Sequence, residues 1–319
     1  MKRALDVLSV GDANLDVWMR VPRHPDRRTG DVRGTGVVGD ASHVGPGGAA
    51  ANVALGVARL GGRAGFVGAV GDDAPGVQFA DRMRSGGVDV SHLHVMAGQP
   101  TSLACMFETP DGEYEFYVCP GPRTIPAHCL ARDFVRTARI LYLTGHVLTE
   151  DESTCRNMLD AMAVARESNC TVAFGPGKYW LNPALESHVH EALKHTDLII
   201  SNDLEAEQIT GRKSLRDAAG KLLDAGIGIV AVTLGGRGSL LAAGDRMIEQ
   251  PAYPSGTGSM VGAGDAFASG LLYSFLLKES LEEMAAFANA AAAIKIGTPG
   301  ASEGMPGADE VRAFIRENA

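Results

Sequence analysis

Four apolar runs constrain this chain more than anything else in it. RILYLTG (139–145), CTVAFG (170–175), DLIISN (197–202) and GIVAVTLG (228–235) recur between stretches with helical spacing at 150–167, 183–194, 203–210 and 214–225. Runs this apolar, without strict polar alternation, read as strands buried on both faces. Strands of that kind alternating with helices make a mostly parallel sheet covered on each side. LDVLSVG (5–11), 64–71 and 238–243 read as further strands, and 52–62, 73–87, 263–277, 281–296 and 307–317 as further helices. The expected fold class is α/β, and in such sheets ligands bind at the carboxyl ends of the strands.

Two segments stand outside this rhythm. Residues 22–46 are rich in Gly, Pro, Arg and Asp and read as an excursion from the core. TSLACMFETPDGEYEFYV (101–118) holds two strand-like runs around Asp111-Gly112, a strong hairpin signal. This hairpin and residues 12–46 are expected to form a small sheet off the main body. No internal repeat or interdomain linker divides residues 1–319, so a single domain is expected.

Composition narrows the partners. The 319 residues are 45% hydrophobic and 21% charged, as in a soluble globular protein. A net charge of −9, with no basic run, argues against nucleic acid. The five cysteines form no CxxC pair and are odd in number, which reads as reduced thiols in a cytoplasmic protein. Asp6 interrupts the first apolar stretch, which is a strand and not a signal peptide. No apolar run nears the roughly 18 residues of a membrane span.

Several short motifs carry candidate chemistry. SMVGAGDAF (259–267) places two glycines and Asp265 at the mouth of a helix. Helix starts offer free N–H groups and partial positive charge, an anion site. An acid there makes sense if it takes a proton from whatever attacks that anion. GPGGAAANVALGVARLGG (45–62) supplies Gly47, Gly48 and Asn52, equally a glycine turn opening a helix. GDANLDV (11–17) puts Asp12, Asn14 and Asp16 on one face past the first strand, suited to sugar hydroxyls and equally to a solvated strand end. Asn202 and Glu205 in SNDLEAE (201–207) share one side of a helix start. Their oxygens suit Mg2+, often through water, and Asn202 serves equally as an N-cap. TLGGRG (233–238) suits phosphate contacts, or is a plain tight turn. No P-loop is present, and after the first strand the chain reads GDANLD rather than the GxGxxG of a dinucleotide-binding fingerprint.

The order of these pieces resembles the PfkB (ribokinase-like) family of carbohydrate and nucleoside kinases along almost the whole chain. The resemblance rests on GG-x-x-x-N at 47–52, VGDD at 70–73, N-x-x-E at 202–205, T-x-G-x-x-G at 233–238 and GAGDAF at 262–267. It implies a ribokinase-like three-layer α/β/α fold whose β-sheet lid comes from segments of about 12–46 and 98–118. It implies transfer of the γ-phosphate of ATP to a hydroxyl, usually a primary alcohol, of a small sugar. Asp265 would be the catalytic base, with the amides of Gly262, Ala263 and Gly264 as anion hole. Asn14, Asp16, Gly47, Gly48 and Asn52 match substrate positions. Asn202, Thr233, Gly235 and Gly238 match nucleotide contacts, Asn289 lies where the family approaches adenine, and Glu205 matches the residue associated with Mg2+. ATP and Mg2+ are therefore the expected cofactors, and a homodimer through the lid the expected assembly.

The sequence departs from the family pattern in three places. Ser259, Met260 and Val261 stand where the family usually has Asp-Thr-x, residues that commonly help form a monovalent-cation site. Little potassium activation is expected. Gly175 and Lys178 replace an Asp and an Arg of many sugar kinases, and PGPR (120–123) replaces Gly-Ala-Asn. Two other readings stay open. A nucleoside kinase would stack a base on Trp18, Phe107, Phe116 or Tyr117, residues that equally form lid core or an interface. A sugar-sensing pseudokinase without turnover is suggested by the altered triplet and opposed by the retained Asp265.

Overall fold

The structure, a computed structural model, describes residues 3–22, 37–111, 113–148, 151–177, 186–256 and 259–318. Gly112, Lys178 and residues 23–36 of the expected lid lie outside these. In chain order the elements begin with β1 Leu5–Val10, β2 Asn14–Arg20, β3 Ala41–Gly47, α1 Ala49–Arg59, β4 Ala64–Val67, β5 Ala69–Gly71, α2 Ala74–Ser85 and β6 His94–Met96. They continue with β7 Ser102–Glu108, β8 Tyr114–Cys119, α3 Arg132–Val135, β9 Ala138–Thr144, α4 Glu152–Glu167, β10 Thr171–Gly175, α5 Glu186–Lys194 and β11 Leu198–Asn202. The last are α6 Asp203–Thr210, α7 Leu215–Asp224, β12 Ile229–Thr233, β13 Ser239–Ala243, β14 Arg246–Gln250, α8 Ala263–Leu276, α9 Leu281–Lys295 and α10 Ala308–Glu317.

Among the described residues, eight strands form the central sheet in the order β14-β13-β12-β11-β10-β9-β1-β4. Pairing is parallel from β12 to β4 and antiparallel only at the β12–β13–β14 end. Side-chain alternation divides its apolar residues between two cores. Leu8, Leu141, Leu143, Val172, Phe174 and Ile199 pack with residues of α4, α6 and α7. Val7, Ile140, Tyr142, Ala173, Leu198 and Ile200 pack with α1, α8 and α9. Each buried Val, Leu, Ile or Phe side chain among these stabilises by about 1.5–3 kcal/mol, so the sheet is held from both sides.

The second sheet, in the order β3-β2-β7-β8, is the expected lid. Its β7–β8 hairpin is antiparallel as the sequence predicts, while β2 and β7 run parallel. Trp18 is buried within it and donates from Nε1 to Glu108 Oε2 at 2.5 Å. Phe107 and Tyr117 meet edge to face with centroids 6.1 Å apart.

Three sequence expectations need correction. The strand expected over 64–71 breaks at Gly68, where a Cβ would lie 2.7 Å from Gly11 O. Its second half, β5, leaves the main sheet and pairs with β6. The first helix begins at Ala49 rather than Asn52, because Gly48 (φ 99°) serves as its N-cap. Strand β14 lies in a stretch between 243 and 263 for which the sequence predicted no element.

Candidate active site

A cleft of about 770 Å3 opens where the lid overhangs the carboxyl end of the main sheet. Asp12, Asn14, Asp16, Gly48, Asn52, Glu205, Gly262 and Asp265 all line it. The fold thus brings together residues spread over more than 250 positions of the chain. A larger cavity, about 840 Å3, lies at the opposite end of the strands. Its guanidinium groups are already committed, Arg63 and Arg139 to Asp6 and Arg3 to backbone carbonyls.

Asp265 sits in the first turn of α8, close to the partial positive charge of the helix start. That helix is entered through Gly262, whose φ of 80° belongs to the left-handed region. A Cβ there would also stand 2.0 Å from Ala301 O, so only glycine fits. Asn52 Nδ2, from α1, donates to Asp265 Oδ2 at 2.7 Å. Burial raises the Asp265 carboxyl to about 6, against the opposing pull of the Asn52 hydrogen bond and the Lys295 charge. At neutral pH it is therefore mostly ionised, the form in which a carboxylate can accept a proton.

Asp16 lies on β2, facing the same space. Burial, then the nearby charges of Asp265 and Glu303, push its carboxyl to about 7. Gly47 makes room for it: a Cβ at residue 47 would fall 1.9 Å from Asp16 Oδ1. Asp16 Oδ1 and Asn52 Oδ1 are both buried without a hydrogen-bond donor. Two unmet acceptors on one cleft floor ask for a ligand that brings several donors, which is what a polyol does. Asp12 lies alongside, its carboxyl raised by burial and held back by His146 and Arg123.

The outer wall comes from β8. Alternation turns Tyr114, Phe116 and Val118 toward the cleft. Of the four aromatics considered for a base platform, only Phe116 lines the cleft; Trp18, Phe107 and Tyr117 do not.

Beside the cleft, Asn202 and Thr233 stand opposite each other at the ends of β11 and β12. Asn202 caps α6 in a reciprocal box: its Oδ1 accepts from Glu205 N, while its N and Nδ2 donate to the Glu205 carboxylate at 3.0 and 2.9 Å. Both Glu205 oxygens thus already accept one hydrogen bond, a donor set that suits hydrated Mg2+ met through water. Thr233 Oγ1 donates to Ser201 O at 3.4 Å. Gly235 and Gly238 take φ of 57° and 98° in the following turn, where a Cβ at 238 would meet Gln250 O at 2.0 Å.

Two expected roles meet obstacles. Ala263 N donates to Met260 O at 3.2 Å, so in this conformation it is committed within its own turn, while Gly262 and Gly264 keep their places at the helix mouth. Asn289 is not brought to the cleft. It is buried between α9 and β13, where Nδ2 donates to Ser239 Oγ at 2.6 Å and Ala285 O at 2.8 Å. The resemblance put Asn289 where the family approaches adenine, whereas here its Nδ2 is committed to these two oxygens.

Sequence reasoning missed Arg123, His146 and Tyr114 as cleft residues. His146 lies just past the end of β9, a position the strand-end rule could have flagged. Arg123 fell in a stretch noticed only as a departure from pattern. A group of three potential metal ligands, His94, His128 and Cys129, lies outside the cleft. Burial raises the Cys129 thiol, which opposes the thiolate a metal needs.

A carboxylate held beside a helix mouth, next to buried unmet acceptors, is an arrangement that suits the class of enzyme that phosphorylates an alcohol. The chain belongs to the pfkB family of carbohydrate kinases, whose model matches residues 4–308. It is a phosphotransferase acting on a sugar hydroxyl. It is 34% identical over 282 residues to fructokinase-1 of Oryza sativa subsp. japonica, covering 83% of this chain and 87% of that one. Among solved structures, Arabidopsis thaliana ribokinase complexed with ribose and ATP superposes with a TM-score of 0.79 at 24% identity, covering 98% of this chain and 99% of that one. Adenosine kinase from Sinorhizobium meliloti superposes with a TM-score of 0.82 at 25% identity, covering 99% of each chain. No helix among the described residues is long and apolar enough to cross a membrane.

Proposed function

We propose that this protein transfers the γ-phosphoryl group of ATP to a primary hydroxyl of a small sugar, with D-fructose the first candidate. The observation that carries this reading is the cleft floor, where Asp265 is held by Asn52 and two buried acceptors, Asp16 Oδ1 and Asn52 Oδ1, have no donor. Asn14, Asp16 and Asn52 bind and orient the sugar, while Gly47 and Gly48 let the backbone approach it. The attacking hydroxyl gives its proton to Asp265 as its oxygen bonds to the γ-phosphorus. The bond to the leaving oxygen of ADP breaks in the same displacement, and the carboxyl later returns its proton to solvent. Amides at the mouth of α8, from Gly262 and Gly264, stabilise charge on the transferring group.

ATP lies along the carboxyl ends of β11 and β12, with its phosphates near Asn202, Thr233, Gly235 and Gly238. Bound Mg2+ supplies charge neutralisation on those phosphates, and Glu205 holds its water shell. The chain acts as a single kinase domain that dimerises through the lid, whose exposed Tyr117 and edge strand β8 support an interface. Its five free thiols support a cytoplasmic setting.

A second reading, a nucleoside acceptor, draws support from Tyr114 and Phe116 on the cleft wall. A sensor without turnover is disfavoured, because Asp265 faces the cleft with its supporting amide in place. The test is ADP release over a panel of sugars and nucleosides, with Asp265→Asn as control. Turnover with sugars that falls by about 10²–10⁴-fold in the variant, with nucleotide binding retained, supports the reading. Turnover with nucleosides alone would reverse the choice of acceptor, and a fully active variant would remove Asp265 from the chemistry.

A further inference from the structure

Lys295, the last residue of α9, is the only lysine among the described residues with no exposed surface. Burying an ammonium is costly unless it is well partnered. Its Nζ donates to two backbone carbonyls, Thr298 O and Gly300 O, each at 2.9 Å. The charges of Glu303, Asp265 and Glu108 act on it in that order of strength. An ammonium among carbonyl oxygens, close to carboxylates, has the surroundings of a bound monovalent cation.

The turn it holds is the one that braces the helix mouth. Gly297 N donates to Ser259 O at 3.0 Å, tying this turn to the segment that leads into α8. Ala301 O packs so tightly on Gly262 that residue 262 has no room for a Cβ. Ser302 Oγ donates to Pro46 O at 3.1 Å, which links the same turn to the lid. The segment entering α8 reads Ser259-Met260-Val261, with Met260 exposed and no acid or threonine for a free cation. These residues do not fit a diffusible monovalent ion, whereas the lysine already stands among the carbonyls.

We propose that the Lys295 ammonium is a tethered monovalent cation, which takes the place of a diffusible one and fixes the 298–301 turn so that the mouth of α8 presents Asp265 correctly. Lys295 is thus a positioning residue, and this role rests on the kinase reading above. The groups facing Asp265 are Asn52 from α1, Asp16 from the lid, Tyr142 from β9 and Lys295 from the end of α9, with Glu303 acting on both Asp16 and Lys295. Removing the ammonium takes away an attraction that lowers the Asp265 pKa, so the acid limb of the rate profile moves to higher pH.

The experiment starts with wild-type turnover in choline, sodium, potassium and ammonium buffers of equal ionic strength. No turnover with any acceptor defeats the kinase reading itself. Turnover that varies less than about twofold among the cations is the expected result, and strong activation by potassium overturns the tethered-cation proposal alone. Lys295→Ala in choline is expected to lose about tenfold or more in kcat, to shift its acid limb upward, and to recover several-fold with potassium or ammonium. A folded variant that keeps full rate in choline, or that no cation rescues, overturns the proposal. If the variant is too unstable to assay, its melting temperature serves instead: it must rise with potassium over choline, as ligand binding requires, while wild type is unmoved. The absence of such a rise overturns the proposal as well.

Discussion

Asn52 Nδ2 and Asp265 Oδ2 lie 2.7 Å apart, joining the first turns of α1 and α8 across the cleft floor. An ionised carboxylate only accepts, so the amide must turn its NH2 group toward Asp265. That leaves Asn52 Oδ1 buried with no donor. One side chain therefore steadies the Asp265 carboxylate and keeps an unmet acceptor next to it.

The Asn52 bond lowers the Asp265 pKa against the rise that burial causes. In Asn52→Ala the carboxyl therefore titrates above its present value of about 6. The acid limb of kcat/KM reports the free enzyme's base and moves to higher pH. A pH–rate profile from 5 to 9 checks this, and an unmoved limb would mean Asp265 is not the group being titrated.

Asp16 titrates at about 7 when folded, against roughly 3.9 in an unfolded chain. The folded state therefore keeps this proton when the unfolded chain has lost it. The stabilisation is complete below about pH 4 and drains away as pH rises toward 7, at up to about 1.4 kcal/mol per pH unit. Asp265, raised to about 6, acts in the same sense. Asp6, held near 2 mainly by the Arg63 hydrogen bond, acts oppositely but only at lower pH. Melting temperatures of ligand-free wild type and Asp16→Asn are expected to converge at pH 4, with the variant gaining on wild type up to pH 7. Parallel curves would contradict the Asp16 assignment.

Gly47→Ala drives a methyl group into the Asp16 carboxylate, since its Cβ would fall 1.9 Å from Oδ1. The carboxylate must swing away from its ligand-facing position. The sugar KM is expected to rise about tenfold or more, the equivalent of about 1.4 kcal/mol, with the ATP KM unchanged. Steady-state kinetics with each substrate varied in turn separate the two effects, and a rise in both would point to general collapse of the site.

Asn289→Ala removes a buried tether between α9 and β13. Leaving Ser239 Oγ without its donor costs about 1–3 kcal/mol, enough to lower the melting temperature by several degrees in a chain of this size. The ATP KM should change little. A large rise in that KM without loss of stability would restore the adenine-contact role.

Much of the fold was legible because strands buried on both faces leave a plain mark in composition. LDVLSVG, RILYLTG and DLIISN could hardly be anything else, and the glycine-flanked Asp265 announced itself through the chemistry of a helix start. The breaks were less visible. At Gly68, where the strand breaks, Gly11 O from a distant stretch of chain crosses so close that a side chain would not fit. Asn289 was singled out by resemblance, yet its partner Ser239 is fifty positions away.

The sequence alone determined the layers, the order of the motifs and the residue types that could carry phosphoryl transfer, because local periodicity and glycine chemistry act over short stretches. Only tertiary structure decided which polar groups stay unmet. Asp16 and Asn52 became a receptive floor, and Lys295 a buried charge among carbonyls, because burial and pairing depend on chain segments that meet solely through folding.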